Sequence, residues 1–127
     1  MSDSFYVYLA APLTDLPAQY LANVALMSRM SRDLMRAGYI PINPAADMLE
    51  GLMSDEALTI DLYQSRSMAL LELLRGCRRA ALFVIRLQHA DGRPSTGVRD
   101  EIANAQAWGI PVVTTRPELA RLREATE

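Results

Sequence analysis

Short apolar runs alternate with longer amphipathic segments along this chain. The run "FYVYLA" (5–10) is rich in aromatic and β-branched residues, a composition typical of a strand. From 16 to 37, apolar residues recur at steps of three and four, which predicts a long amphipathic helix. Thr14 or Asp15 can cap its start, and Gly38 suits its end. The chain therefore begins as a strand followed by a helix.

The rest of the chain continues this alternation. The predicted elements are a strand over 39–43, a loop with a helical turn over 44–57, a helix over 58–76, a strand over 80–85, a helix over 97–108, a strand over 110–115 and a helix begun by Pro117. Pro41 cannot donate to a strand ladder, which places the second strand near an edge. The third strand, "AALFVI", is continuously apolar, as in strands buried on both faces.

Strands that alternate with helices predict an α/β fold with a mostly parallel sheet covered on both faces. The expected architecture is a flavodoxin- or Rossmann-like three-layer sandwich with four or five strands in an order near 2-1-3-4. In such sheets ligands bind beyond the carboxyl ends of the strands, where the strand order reverses. Here that position is flanked by "AAPLTD" (10–15) and "RLQHADGRPSTG" (86–97). Both loops are therefore candidates for a binding site.

Composition narrows the classes of function. A chain of 127 residues, half of them hydrophobic, fits one domain over 1–127. A formal net charge of -2 gives no reason to expect a nucleic acid polymer or an anionic membrane as partner. The single Cys77 cannot form an internal disulfide, and we see neither a signal-peptide pattern nor a membrane-spanning apolar run. These features predict a soluble cytoplasmic protein.

Glu101 lies at the border of the apolar face of the helix predicted over 97–108. At roughly 100° per residue it is about 60° from Val98, whereas Asp100 points to solvent. In the first turn the helix dipole favours the charged form of an acid, so we expect Glu101 to be ionised. A half-sheltered carboxylate of this kind can act as a nucleophile.

Just before Glu101, the segment Ser95, Thr96 and Gly97 has the features of an anion site. Free backbone amides at the start of the helix, a hydroxyl and a glycine that permits close approach can together hold a phosphate. The same residues also fit an ordinary helix start, with Ser95 as the N-cap, Gly97 as a turn residue and Glu101 as a partner of the dipole. The residues alone leave both interpretations open.

Several segments taken together resemble the nucleoside 2-deoxyribosyltransferase-like family. They are "YLAAP" (8–12), "INP" (42–44), the apolar third strand, "STGVRDEIANA" (95–105) and "GIPVV" (109–113). The family includes transferases and smaller relatives that hydrolyse the N-glycosidic bond of nucleoside monophosphates. The resemblance covers most of the chain in the same order.

This resemblance implies roles for individual residues. The family's glutamate nucleophile falls on Glu101, and the tyrosine that contacts it falls on Tyr8. The first-strand motif implies that Ala10, Ala11 and Pro12 lie beside the substrate. Where the family has a glycine in this loop, the present chain has Ala11, which adds a methyl group at a place of close approach.

Ser95 bears on the substrate class. The transferases typically have an aspartate there that binds the sugar 5'-hydroxyl, whereas the monophosphate hydrolases resemble this chain in having serine. A carboxylate would repel a 5'-phosphate, while a hydroxyl and free amides would bind it. The resemblance therefore implies an N-glycosidase that acts on a ribo- or deoxyribonucleoside 5'-monophosphate, with Glu101 attacking the anomeric carbon. A deoxyribosyltransferase and a binding module without catalysis are the alternatives.

The acid that would protonate the leaving base is not identified by the motifs. Relatives carry an aspartate on the helix before the third strand, where "QSRSMALLELLRGC" has none. Asp61, about two turns earlier, and Asp91, in the loop after that strand, are candidates. A solvated helix acid and a turn former are their ordinary interpretations, and His89 is either a third candidate or a solvated loop residue. The acid can also come from a neighbouring subunit or be missing.

No metal or cofactor is expected, because the sequence has no Cys or His pairs at ligand spacing and no GxGxxG motif. The methionines fit a core or a subunit interface better than a cofactor site. The family's sites are often completed by a neighbouring chain, so we expect a homodimer or a higher homo-oligomer. Residues 48–53, with a methionine at each end, are where we expect subunit contacts.

Overall fold

A four-stranded, entirely parallel sheet forms the centre of the protein. The structure is a computed structural model and describes residues 3–13, 17–54 and 58–127. The strands are β1 (Tyr6–Ala10), β2 (Ile40–Ile42), β3 (Ala80–Val84) and β4 (Val112–Val113). Their spatial order is β2-β1-β3-β4, as the sequence predicts.

Helices cover both faces of this sheet. They are α1 (Pro17–Arg36), α2 (Asp47–Met53), α3 (Ile60–Glu72), α4 (Thr96–Ala107) and α5 (Arg116–Ala125). One core cluster joins the sheet to Met27 of α1 and Leu119 of α5. A second cluster on the opposite face joins it to Leu71 of α3 and Val98 of α4. The result is the expected three-layer α/β sandwich.

The two central strands, β1 and β3, are almost entirely buried. All five residues of β3 are buried, which confirms that this apolar run has helices on both faces. Alternate residues of β1 point to opposite faces, so Leu9 packs in the cluster with α1 while Tyr8 and Ala10 pack in the cluster with α3 and α4. Tyr8 therefore lies on the same face of the sheet as α4.

The predicted edge position of the second strand is confirmed. β2 is the first strand in the sheet order, and Pro41 lies at its centre. The end of α1 is also as predicted, since Gly38 has a φ of 89° and the Tyr39 N–H donates to the Leu34 carbonyl at 3.0 Å. The predicted caps at the start of α1, Thr14 and Asp15, lie outside the described residues.

Two segments differ from their sequence prediction. The segment predicted as a loop with one helical turn contains a 3-10 turn over Pro44–Ala46 followed by α2. The last strand, predicted over 110–115, is reduced to Val112–Val113. Its beginning is shortened because the Ile110 N–H donates to the Ala105 carbonyl of the α4 terminus at 2.8 Å instead of to a strand.

The strand order places a switch point between β1 and β3. The chain leaves these neighbouring strands at the same edge of the sheet, through the loops that lead to α1 and α4. A cleft opens at that edge, as in other open parallel sheets. Among the residues described, no helix has the length and apolar character needed to cross a membrane.

Candidate functional site

The loop after β3 is organised so that it delivers α4 to the cleft. Gln88 and Pro94 form an isolated antiparallel bridge, and the His89 N–H donates to the Arg93 carbonyl at 2.9 Å. The loop therefore folds back on itself before Ser95. Asp91 contributes to this turn, because its carboxylate accepts from the Arg93 backbone at 3.1 Å and from its guanidinium at 2.6 Å. The ordinary interpretation of Asp91 as a turn former fits this geometry.

Ser95 is the N-cap of α4. Its backbone is extended, with φ of -95° and ψ of 115°, and its Oγ accepts from the Val98 N–H at 3.3 Å. The side chain is almost fully buried, with 5% of the residue exposed. A hydroxyl that accepts through its lone pairs still has a proton to donate. The capping role and a phosphate-binding role of Ser95 are therefore compatible.

Thr96 and Gly97 follow at the exposed start of α4, and both line the cleft. A Cβ at Gly97 would meet nothing within 4 Å, and its φ is not positive. The fold itself therefore does not need glycine at this position. The Val98 N–H is already bonded to the Ser95 cap, so an anion in the open space at Gly97 would be bound by the amides of Thr96 and Gly97.

Glu101 lies one turn further along α4, on the cleft wall and partly buried, whereas Asp100 is exposed at the rim. Burial raises the pKa of Glu101 to about 7, an interaction with Tyr8 opposes this rise, and the charge of Asp100 adds to it. A carboxyl group with this raised pKa is only partly ionised near neutral pH, so the expected ready carboxylate is not found. The prediction that Glu101 lies in the first turn is also wrong, because α4 begins at Thr96 and has no acid in its first turn, so the dipole acts only weakly on Glu101 while removal from water raises its pKa.

The Tyr8 hydroxyl lies beneath the cleft. The residue is fully buried, and its hydroxyl interacts with the Glu101 carboxyl and the Ser67 hydroxyl, although neither contact has the geometry of a regular hydrogen bond. Burial and the charge of Glu101 raise the pKa of Tyr8, so the phenol stays protonated. A protonated phenol can donate to a carboxylate, which favours the ionised form of Glu101.

These residues line one cleft of about 780 Å³, within the size range of small-molecule sites. The cleft brings together most of the residues predicted for the site, namely Tyr8, Ala10, Ala11, Ser95, Thr96, Gly97 and Glu101. His89 also lines it. Pro12 is buried behind the wall and does not line the cleft.

Asp61 is not among the residues that line the cleft. It is exposed in the first turn of α3. Ser67, the α3 residue that interacts with Tyr8, lies six residues later, which is roughly 9 Å along a helix axis. The prediction of Asp61 as the catalytic acid finds no support in this placement.

The sequence prediction of the site did not include several polar residues that line the cleft, among them Tyr20, Asp47, Tyr63 and Ser67. Asp47 begins α2, and its Oδ1 accepts from Arg66 at 2.7 Å. The signal for Asp47 was its position shortly after β2, because the carboxyl ends of all parallel strands lie at the edge of the sheet that carries the cleft. For Tyr20, Tyr63 and Ser67 the sequence has no comparable signal.

No group of three His, Cys, Asp or Glu side chains suited to a metal ion occurs in residues 3–13, 17–54 and 58–127. Comparisons with protein-family models, with curated proteins and with solved structures gave no match. The resemblance to the nucleoside 2-deoxyribosyltransferase-like family therefore stays a prediction that rests on the sequence motifs. The function proposed below is supported by the geometry of the cleft and by those motifs.

Proposed function

We propose that this protein hydrolyses the N-glycosidic bond of a ribo- or deoxyribonucleoside 5'-monophosphate, giving a free base and a sugar 5-phosphate. The main observation behind the proposal is that a candidate phosphate site and a carboxyl group line the same cleft, at the switch point of the sheet. The start of α4, at Ser95–Gly97, presents a hydroxyl and accessible amides, and Glu101 presents a carboxyl one turn away. This separation suits a nucleotide whose phosphate and anomeric carbon are engaged together.

In the proposed reaction Glu101 attacks the anomeric carbon as the glycosidic bond to the base breaks, through an oxocarbenium-like transition state. A covalent ester to the sugar forms and the base leaves with the electron pair of the glycosidic bond. Water then hydrolyses the ester, which releases the sugar phosphate, regenerates the carboxylate and yields the proton that balances the one the base takes up. The Tyr8 phenol orients the carboxylate and favours its ionised form. Because the pKa of Glu101 is about 7, the nucleophile becomes fully available only in mildly alkaline solution.

The phosphate preference rests on the N-terminus of α4. Ser95 is buried and uncharged, so nothing at this position repels a dianion. The Ser95 proton and the amide groups that follow are hydrogen-bond donors suited to phosphate oxygens. A nucleoside without the phosphate would leave these donors facing only water, which favours the nucleotide as substrate.

A binding module is the second candidate, and the partial protonation of Glu101 near neutral pH favours it. In that case the same cleft holds a nucleotide or sugar phosphate without cleaving it. A deoxyribosyltransferase would differ from the hydrolase only in passing the sugar to a second base instead of water.

Incubation with a panel of ribo- and deoxyribonucleoside 5'-monophosphates, followed by chromatography for free base, separates these candidates. The hydrolase releases base, the transferase does so efficiently only when an acceptor base is added, and the module binds without release. Glu101→Ala should abolish release, while Asp100→Asn, an exposed acid of the same turn, should retain it. Release that survives Glu101→Ala would remove Glu101 from the mechanism.

We also propose that two copies of the chain associate through α2. Leu49, Leu52 and Met53 of this helix are 61%, 71% and 77% exposed. Burying these side chains against a second copy would remove apolar surface from water next to the mouth of the cleft. Analytical ultracentrifugation should show a dimer that Leu52→Asp converts to a monomer, and a monomeric wild type would contradict the proposal.

A further inference from the structure

The cleft is also lined by one carboxylate and two phenol rings that come from three different helices. Tyr20 of α1, Asp47 of α2 and Tyr63 of α3 all line the cleft, and all three are partly buried. We call these three residues the Asp47 subsite. The reaction proposed above uses none of them.

The members of the Asp47 subsite lie close to one another. The charge of Asp47 acts on the Tyr20 hydroxyl, whose pKa is raised chiefly by burial. Asp47 also acts on the Tyr8 hydroxyl, which interacts with Glu101. The Asp47 subsite and the proposed nucleophile therefore belong to the same cleft.

Arg66 fixes the Asp47 side chain from outside the cleft. Its Nη2 contacts Asp47 Oδ1 at 2.7 Å and also contacts Glu50, and its guanidinium lies 5.6 Å from the centre of the Tyr63 ring. Arg66 is not among the residues lining the cleft. The ion pair identifies Asp47 as a carboxylate, and Arg66 engages only its Oδ1 among the contacts of the described residues. Because Asp47 lines the cleft, its carboxylate can accept a hydrogen bond from a ligand there.

The geometry points to the Asp47 subsite as the place where the base of the nucleotide is read, with Asp47 selecting bases that carry an exocyclic amino group. This inference rests on the proposed function. A sugar whose anomeric carbon faces Glu101 and whose phosphate lies at Gly97 directs its base away from both groups, into the remaining part of the cleft. There the phenol rings of Tyr20 and Tyr63 provide surfaces on which a base can stack.

A carboxylate accepts hydrogen bonds and cannot donate them. Asp47 therefore favours the amino edge of cytosine or adenine and opposes the carbonyl oxygen that uracil or hypoxanthine presents at the same position. Hydrogen bonds to a charged group are roughly twice as strong as those between neutral groups. The expected preference for the amino-bearing base is roughly tenfold or more in kcat/KM.

The test uses two matched substrate pairs, the 5'-monophosphates of cytidine and uridine and those of adenosine and inosine, with their deoxy forms. Initial rates of base release are measured for the wild type, Asp47→Asn and Glu50→Gln. Glu50 is the matched control because it shares Arg66 with Asp47 but does not line the cleft. Binding of the same nucleotides to Glu101→Gln is measured by calorimetry, so that base preference is known independently of cleavage.

The wild type and Glu50→Gln should prefer the amino-bearing member of a pair, and Asp47→Asn should lose most of that preference, because an amide can donate to a carbonyl. An equal preference in the wild type, an unchanged ratio in Asp47→Asn, or the same loss in Glu50→Gln would overturn the inference. Selective binding without cleavage would support the Asp47 subsite and contradict the proposed hydrolysis. Absence of both binding and cleavage would contradict both.

Discussion

Replacing Glu101 by glutamine should stabilise the protein at high pH, although it removes the proposed nucleophile. Burial raises the pKa of Glu101 from its ordinary value of 4.5 to about 7 in the folded chain. The folded protein therefore favours the protonated form of Glu101. The contribution of this group to the free energy of unfolding is fully present below pH 4.5 and is lost as the pH rises through 7. Glutamine is neutral at every pH and does not undergo this loss.

The size of this stabilisation follows from the difference between the Glu101 pKa in the unfolded and in the folded chain. At about 1.4 kcal/mol per pKa unit, a change from 4.5 to about 7 corresponds to roughly 3 kcal/mol once the carboxyl is ionised in both states. The Glu101 side chain retains some contact with water, so we expect about 2–3 kcal/mol. This is a large fraction of the free energy of unfolding of a typical domain.

Urea unfolding followed by circular dichroism, between pH 4.5 and pH 8.5, measures this difference directly. The free energy of unfolding of Glu101→Gln should gain about 2–3 kcal/mol on that of the wild type across the range. Asp100→Asn, which removes an exposed acid of the same turn, should show a much smaller change. A difference between Glu101→Gln and the wild type that stays constant with pH would refute a raised pKa in the folded state.

Four further outcomes are expected. The rate of base release should rise through about pH 7 as Glu101 ionises. Tyr8→Phe should move this rise to higher pH, because the phenol favours the ionised form of Glu101. Identical pH–rate profiles of Tyr8→Phe and the wild type would exclude this role of Tyr8. Gly97→Ala should leave the melting temperature unchanged, since a Cβ at this position meets open space, but it should raise the KM for nucleotides. An unaltered KM would argue against phosphate binding at the start of α4. Ser95→Asp keeps a good N-cap and should shift preference from nucleotide to nucleoside, as a comparison of their kcat/KM values would show. Asp61→Asn should leave kcat/KM unchanged, and a large loss would restore Asp61 as a catalytic candidate.

The order of the sheet and the position of the α4 segment could be predicted because they depend on local patterns. Apolar runs such as 80–85 are strands by composition, and Pro41 restricts its strand to an edge. Once strands and helices alternate, the handedness of the crossovers leaves few possible arrangements. The loops at the switch point follow from that order, and with them the location of Ser95 and Glu101.

The protonation of Glu101 could not be predicted in the same way. Helical geometry places this side chain at the border of the apolar face. It predicts the direction of the side chain but not its exposure to water. Its environment includes Tyr8 of β1, which is distant in sequence. The dipole of α4 acts mainly on its first turn, which contains no acid, whereas burial raises the pKa of Glu101.

The Asp47 subsite was missed for a related reason. The segment 44–57 has no clear periodicity, so α2 and the position of its first residue were not resolved from the sequence. Asp47 becomes a candidate only when Tyr20 of α1 and Tyr63 of α3 are seen beside it in one cleft. Residues that gather from three helices leave no local motif.

Base release by Glu101→Gln relative to the wild type at pH 8, where the wild-type carboxyl is largely ionised, is the most direct test of the proposed mechanism. With the preferred nucleoside 5'-monophosphate in excess, the wild type should release free base and sugar 5-phosphate in equal amounts. Glu101→Gln should be slower by roughly a thousandfold or more while still binding the nucleotide. Equal rates in the two proteins, or no release by the wild type from any nucleotide that it binds, would contradict the account.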